Sequence, residues 1–258
     1  MRIRIIKESN DAVVGIVTAV LLLGLFISVI ALIQTVYVPN WMEQKEAEHM
    51  EIVRDQFSQL KFAIDIHSAN KQPYTPIATT ITLGSREYPF FMSQRSFGSL
   101  EIISDDLSVN ITYNDTVTGT YKSRFFDLGS IKYSSNNAYF IDQSFIYESG
   151  AVITSQSDGD SISIKPVFVP VNESGEIIIY FTIINISSVG SKTFYGGYDS
   201  IAIQTEYCNC TENQIIKINN TKYINISTPY ANSWGIYLNS SLIFFFIPSL
   251  AFKLESSI

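Results

Sequence analysis

Residues 12–33 read AVVGIVTAVLLLGLFISVIALI, a run without a single charge. Its only hydroxyl side chains are Thr18 and Ser28, and in a helix both can bond a preceding carbonyl. A helix rises about 1.5 Å per residue, so the run covers about 33 Å, close to the roughly 30 Å hydrocarbon core of a bilayer. Residues 34–38 then lead toward an interface, where Tyr37 and Trp41 fit an aromatic belt. The alternatives are a buried helix of a soluble domain or a removable secretory signal. A signal has a shorter apolar region, and no small-residue cleavage site follows Ile33. We read 12–38 as a transmembrane helix.

The flanks give an orientation. Arg2, Arg4 and Lys7 precede the span, and the next base after it is Lys45, set among Glu43, Glu46 and Glu48. Positive charge stays inside, so residues 1–11 form a cytoplasmic basic N-terminus and the chain beyond about residue 40 is extracellular. Pro39 interrupts the helix, with Asn40 as a candidate new N-cap. Further on, Ala47, Met50, Val53, Phe57, Leu60 and Ile64 recur at helical spacing, an apolar stripe with Lys45, Glu48, Glu51 and Asp55 opposite. Residues 39–68 thus read as an amphipathic helical stalk. Its stripe packs either on the chain's own next domain or on neighbouring copies.

The whole chain has 258 residues, 46% hydrophobic and only 16% charged, with a formal net charge of −7. Without a basic footprint, nucleic acid is not an expected partner. Two Cys and two His leave little for a zinc site or a disulfide framework. No Ser/His/Asp order, glycine-rich phosphate loop or HExxH is found, so neither an enzyme nor a bound cofactor is expected.

From about Lys71 the period shifts from 3.6 to 2. Residues 107–113 and 217–227 alternate. Residues 151–156 and 161–165 flank Asp158-Gly159, a hairpin signal. Residues 172–175 turn the chain into the β-rich run 176–186, and 242–247, LIFFFI, reads as a central strand closed by Pro248. The expected class is α+β: one long N-terminal helix, transmembrane then amphipathic, followed by an antiparallel β-sandwich head over 69–258.

The sequon Asn-x-Ser/Thr occurs at Asn110, Asn114, Asn172, Asn185, Asn209, Asn219, Asn225 and Asn239. Sixteen asparagines would make about three by chance. The pattern reads as a glycosylated outer surface, or else as an accident of an Asn-rich composition. His49 and His67 are expected as solvated surface residues. Cys208 and Cys210 suit a turn disulfide, free thiols or a shared metal. Asp105-Asp106 and Asp158-Gly-Asp160 could bind calcium, but the EF-hand spacing is absent and the second is explained as a turn.

The block Asp11-Ala-Val-Val-Gly-Ile-Val17, opening a long apolar helix after a short basic N-terminus, resembles the start of archaeal type IV pilin-like (archaellin-like) proteins. Residues 34–50 and 56–62 look like a membrane-anchored surface subfamily of that group, as do Gly129-Ser-Ile-Lys-Tyr133, Gln143 and residues 147–153. The resemblance implies an N-terminal hydrophobic helix, a β-sandwich head and an assembly or surface role. The block departs from the pattern in having Lys7 as its nearest base and no acid between Asp11 and Glu43. The expected function is therefore a non-enzymatic, single-pass cell-surface protein, a pilin-like structural or assembly component with a glycosylated head. The alternative is an anchored extracellular binding module, an adhesin or envelope-associated receptor. Expected partners are membrane lipid, other pilin-like subunits through the N-terminal helix, and N-linked glycans.

Overall fold

The computed structural model describes residues 11–84, 96–115, 118–173, 176–208, 221–243 and 251–255. The apolar run forms α1 (Asp11–Leu32), continued by a π-helical stretch (Ile33–Tyr37) and then by α2 (Val38–Asn70). Pro39 does not break the helix and Asn40 is no N-cap, contrary to the sequence expectation. Pro39 falls in the first turn of α2, and the missing proline N–H is absorbed by wider winding. There the Val38 N–H reaches the Ile33 carbonyl, five residues back.

The head is built on one long strand, β2 (Phe97–Asn114). Along one edge it pairs with β3 (Tyr121–Asn136), which leads through β4 (Gln143–Glu148) and β5 (Ala151–Gln156) to β6 (Gly159–Ile164). Its other edge is shared. Residues 98–101 pair with β9 (Phe194–Gly197), and 108–113 pair with β11 (Thr221–Ser227). β12 (Ala251–Glu255) then lies parallel to β11, while the other pairs are antiparallel. Two ribbons complete the head: β1 (Ile77–Thr82) with β10 (Ser200–Thr205), and β7 (Phe168–Glu173) with β8 (Glu176–Phe181).

This is one curled eight-stranded sheet, not the expected β-sandwich. Helices cover its two faces. On one face the core joins Met50, Val53, Phe57, Leu60 and Ile64 of α2 to Ile81, Leu100, Ile131, Tyr133, Phe145 and Tyr147. On the other, α3 (Ala231–Ile243) brings Trp234, Tyr237 and Leu238 onto Leu107, Val109, Leu128, Ile146, Ile153 and Ile226. Successive strand residues point to opposite faces, so Phe145 and Tyr147 serve the α2 side and Ile146 the α3 side.

Two further expectations are corrected. Leu242 and Ile243, expected in a central strand, end α3; 244–250 lie outside the described residues. A helix prevails because Tyr230, Trp234, Tyr237 and Leu238, just before that run, bury at helical spacing. The β5–β6 hairpin turns at Ser157-Asp158, one residue earlier than expected, since Gly159 already pairs with Gln156.

Candidate functional site

α1 is the first candidate surface. Residues 13–32 are all exposed, and this end of the helix has a window of mean hydropathy 3.0 with none of it buried. Thr18, Ser28 and Thr35 each donate to the carbonyl four residues back at 2.8 Å, so these polar groups are satisfied within the helix. Tyr37 and Trp41 follow as a tilted ring pair with centroids 6.2 Å apart.

At Val38 burial begins. Met50, Val53, Phe57, Leu60 and Ile64 are buried against the chain's own sheet, whereas Ala47 is only half-buried. Toward the membrane end the buried line runs instead through Met42, Glu46 and His49. Glu46, wholly buried, is clasped by three backbone donors of the β3–β4 loop. The Ala138 N–H reaches Oε1 at 3.0 Å, and those of Tyr139 and Phe140 reach Oε2 at 2.8 and 2.7 Å. Consecutive amides converging on one carboxylate form an anion nest, here occupied by the helix's own acid.

His49 and His67 are both buried, which corrects their expected surface placement. His49 Nε2 lies 3.2 Å from Tyr133 Oη. The Tyr133 O–H donates to the Leu83 carbonyl at 2.9 Å, which leaves Oη to accept from the imidazole. Burial pushes the His49 pKa below its usual value; a backbone bond at Leu83 and the nearby Glu46 pull the other way. His67 Nε2 bonds the Thr205 carbonyl at 3.0 Å. Both histidines therefore fasten α2 to the head.

A second buried acid, Glu148 at the end of β4, lies on the opposite face. Its Oε2 accepts from Trp234 Nε1–H at 3.4 Å. Ser130, directly across from it, donates to Asp106 Oδ2 at 2.5 Å. Asp106 belongs to a bulge in β2 between Ile103 and Leu107, where Asp105 takes a left-handed φ of 57°. Asp105 and Asp106, one of the calcium candidates, thus shape a bulge. Asp160 receives the Ser155 hydroxyl at 3.3 Å across the β5–β6 hairpin, and Asp158 lies in its turn. No group of three or more His, Cys, Asp or Glu able to hold a metal is present among the described residues.

The sequons divide by environment. Asn114, Asn172 and Asn239 are exposed. Asn185 is exposed too, but its Oδ1 accepts the Gly129 N–H at 3.0 Å. Gly129 is required there, since a Cβ would stand 2.1 Å from the Ile186 carbonyl oxygen. Asn110 and Asn225 face one another across β2 and β11, each with a buried Oδ1 lacking a hydrogen bond. Asn209 and Asn219 lie outside the described residues. Cys208 is disulfide-bonded, and Cys210, also outside them, is the only other cysteine of the chain.

Open clefts occur among the described residues. One of about 390 Å³ lies between α2 and the β5–β6 edge, with Glu51, Arg54, Gln143, Gln156, Ser161 and Ser163 among its walls. Another, about 300 Å³, lies by His67, Asn70 and Thr75. Neither brings a nucleophile to a general base. Compared with known proteins, the chain matches no family model, no curated protein and no solved structure.

The sequence reading missed Glu46, Glu148, Tyr133 and Trp234. A signal existed for Glu46, because it precedes Met50 by one turn and so continues the stripe.

Proposed function

We propose that this is a non-enzymatic, single-pass cell-surface protein, a pilin-like structural or assembly component whose glycosylated head stands outside the membrane. The observation that carries the reading is the uncovered α1. Its exposed residues 13–32 continue without a break into a helix that the head covers. In water such a surface is unsustainable, since each large apolar side chain costs about 1.5–3 kcal/mol left exposed. Lipid, or the same helix of other copies, supplies its cover. The basic residues 2–7 favour an inside N-terminus, and the exposed Asn114, Asn172 and Asn239 are the most accessible glycan acceptors.

A second reading keeps the anchor but not the assembly: an extracellular binding module. It is favoured by one fact. The α2 stripe is used up on the chain's own sheet, which removes that stripe as a surface for contact between copies. Native protein taken from membranes distinguishes the two. Cleavage near Ala12, found by mass spectrometry of the N-terminus, together with filaments under the electron microscope, supports the assembly component. An uncut terminus and dispersed single molecules support the binding module. Glycopeptide mapping with all eight asparagines bare would remove the glycosylated surface from either reading.

A further inference from the structure

Glu148 lies apart from the α1 surface on which the proposed function rests, yet it is wholly buried beneath the helix that closes the second face. Trp234 and Thr228 hydrogen-bond its carboxyl, while Oε1 is buried without a partner. The charge acting on it is of its own sign: Asp106, from the β2 bulge. Asp160 of β6 and Tyr230, just before α3, share this side, where Tyr230 feels Asp106, Glu148 and Asp160 together. From β5 the opposite residue is Ala151. Lys132 of β3 is on this face by register, across from Glu101 and Ile146, and it is not paired with Glu148. Burial away from any cation favours the protonated form of a carboxyl. Burial is the main cause of a pKa pushed up to about 7, with Asp106 adding to it and the Thr228 and Trp234 bonds opposing.

α3 rests on this group. Trp234 and Leu238 are buried, as are Tyr230 and Tyr237. The helix touches both β6 and β12, the two ends of the sheet's strand order. It therefore spans the seam between the two end strands of the curled sheet. We propose that α3 is an acid-closed latch: it stays docked while Glu148 is protonated, and it loosens from the seam between β6 and β12 when that carboxyl ionises.

The test uses the full-length protein in detergent carrying Trp41→Phe, which leaves Trp234 as the only tryptophan. Acrylamide quenching of Trp234 and hydrogen exchange along α3, corrected for the intrinsic pH dependence of exchange, are followed from pH 5 to pH 9. Both are expected to be low in acid and to rise several-fold through about pH 7, with no such rise along α2. Glu148→Gln should abolish the rise, and Asp106→Asn should move its midpoint to lower-pH values, because a like charge is removed. A flat profile in the protein with Glu148 intact overturns the latch, whether or not Glu148→Gln folds. So does an unchanged rise in Glu148→Gln, which would assign the response to another group.

Discussion

α1 and α2 form one continuous helical run with opposite fates. α1 is apolar all round, and its residues 13–32 are all exposed; α2 is apolar along one line and buries that line from Met50 to Ile64 against the sheet. The difference teaches that the distribution of charge around a helix, more than its hydrophobicity, decides what covers it. A helix with no polar side has no orientation to offer a single sheet, and its character suits a lipid surrounding. A helix with Glu48, Glu51 and Asp55 exposed on one side has only one way to face.

The sharpest way to break this comparison is to truncate one residue in each half. Phe57→Ala should cost the head about 3–5 kcal/mol, read as a lower melting temperature of the full chain in detergent. Leu21→Ala, at an exposed position of α1, should leave that melting temperature unchanged. Equal losses would mean that α1 also packs on the head.

Next in size is the clasp at Glu46. Glu46→Ala leaves three backbone donors of residues 138–140 unpaired and should cost about 3 kcal/mol. Hydrogen exchange should rise first in the β3–β4 loop. Glu46→Gln, which keeps one acceptor oxygen, should lose less.

The two helix-covered faces should also respond oppositely to pH. Glu148 titrates near 4.5 when unfolded and about 7 when folded. Between those values the folded state holds the extra proton, so stability falls as pH rises, by about 3 kcal/mol in all. His49 has a depressed folded pKa, so stability on the α2 side falls as pH drops below about 6.5. Melting curves at several pH values for Glu148→Gln and His49→Gln, each compared with the parent, should show slope changes of opposite sign. Changes of the same sign would mean that one of the two groups is not what its face depends on.

The smallest effect is expected where the halves meet. Pro39→Ala restores a backbone donor to the first turn of α2. It should shift head melting by no more than about 0.5 kcal/mol, while amide protection across residues 33–37 increases.

Much of this was legible beforehand. The uncharged run 12–33 and the stripe at Met50, Val53, Phe57, Leu60 and Ile64 are local patterns, and local patterns survive without knowledge of partners. So is the alternation over 107–113, which falls within β2. Glu46 and His49 were not read as buried because a polar side chain is buried only where something answers it. The answers, the 138–140 amides and the Tyr133 hydroxyl, lie 84 or more residues away. Glu148 was invisible for the same reason.

Sequence alone therefore determined that one helix would be apolar on every side and the next on one side, and that strands would follow. Both are properties of residue spacing on a regular backbone. Only the tertiary structure decided that the stripe would be spent on the chain's own sheet. It alone settled that this sheet would curl around α3 instead of stacking as a sandwich, and that two acids would end up buried on its opposite faces. Those outcomes depend on which strand edges meet. A period-2 pattern says which side of a strand is apolar, but not which strand will lie beside it.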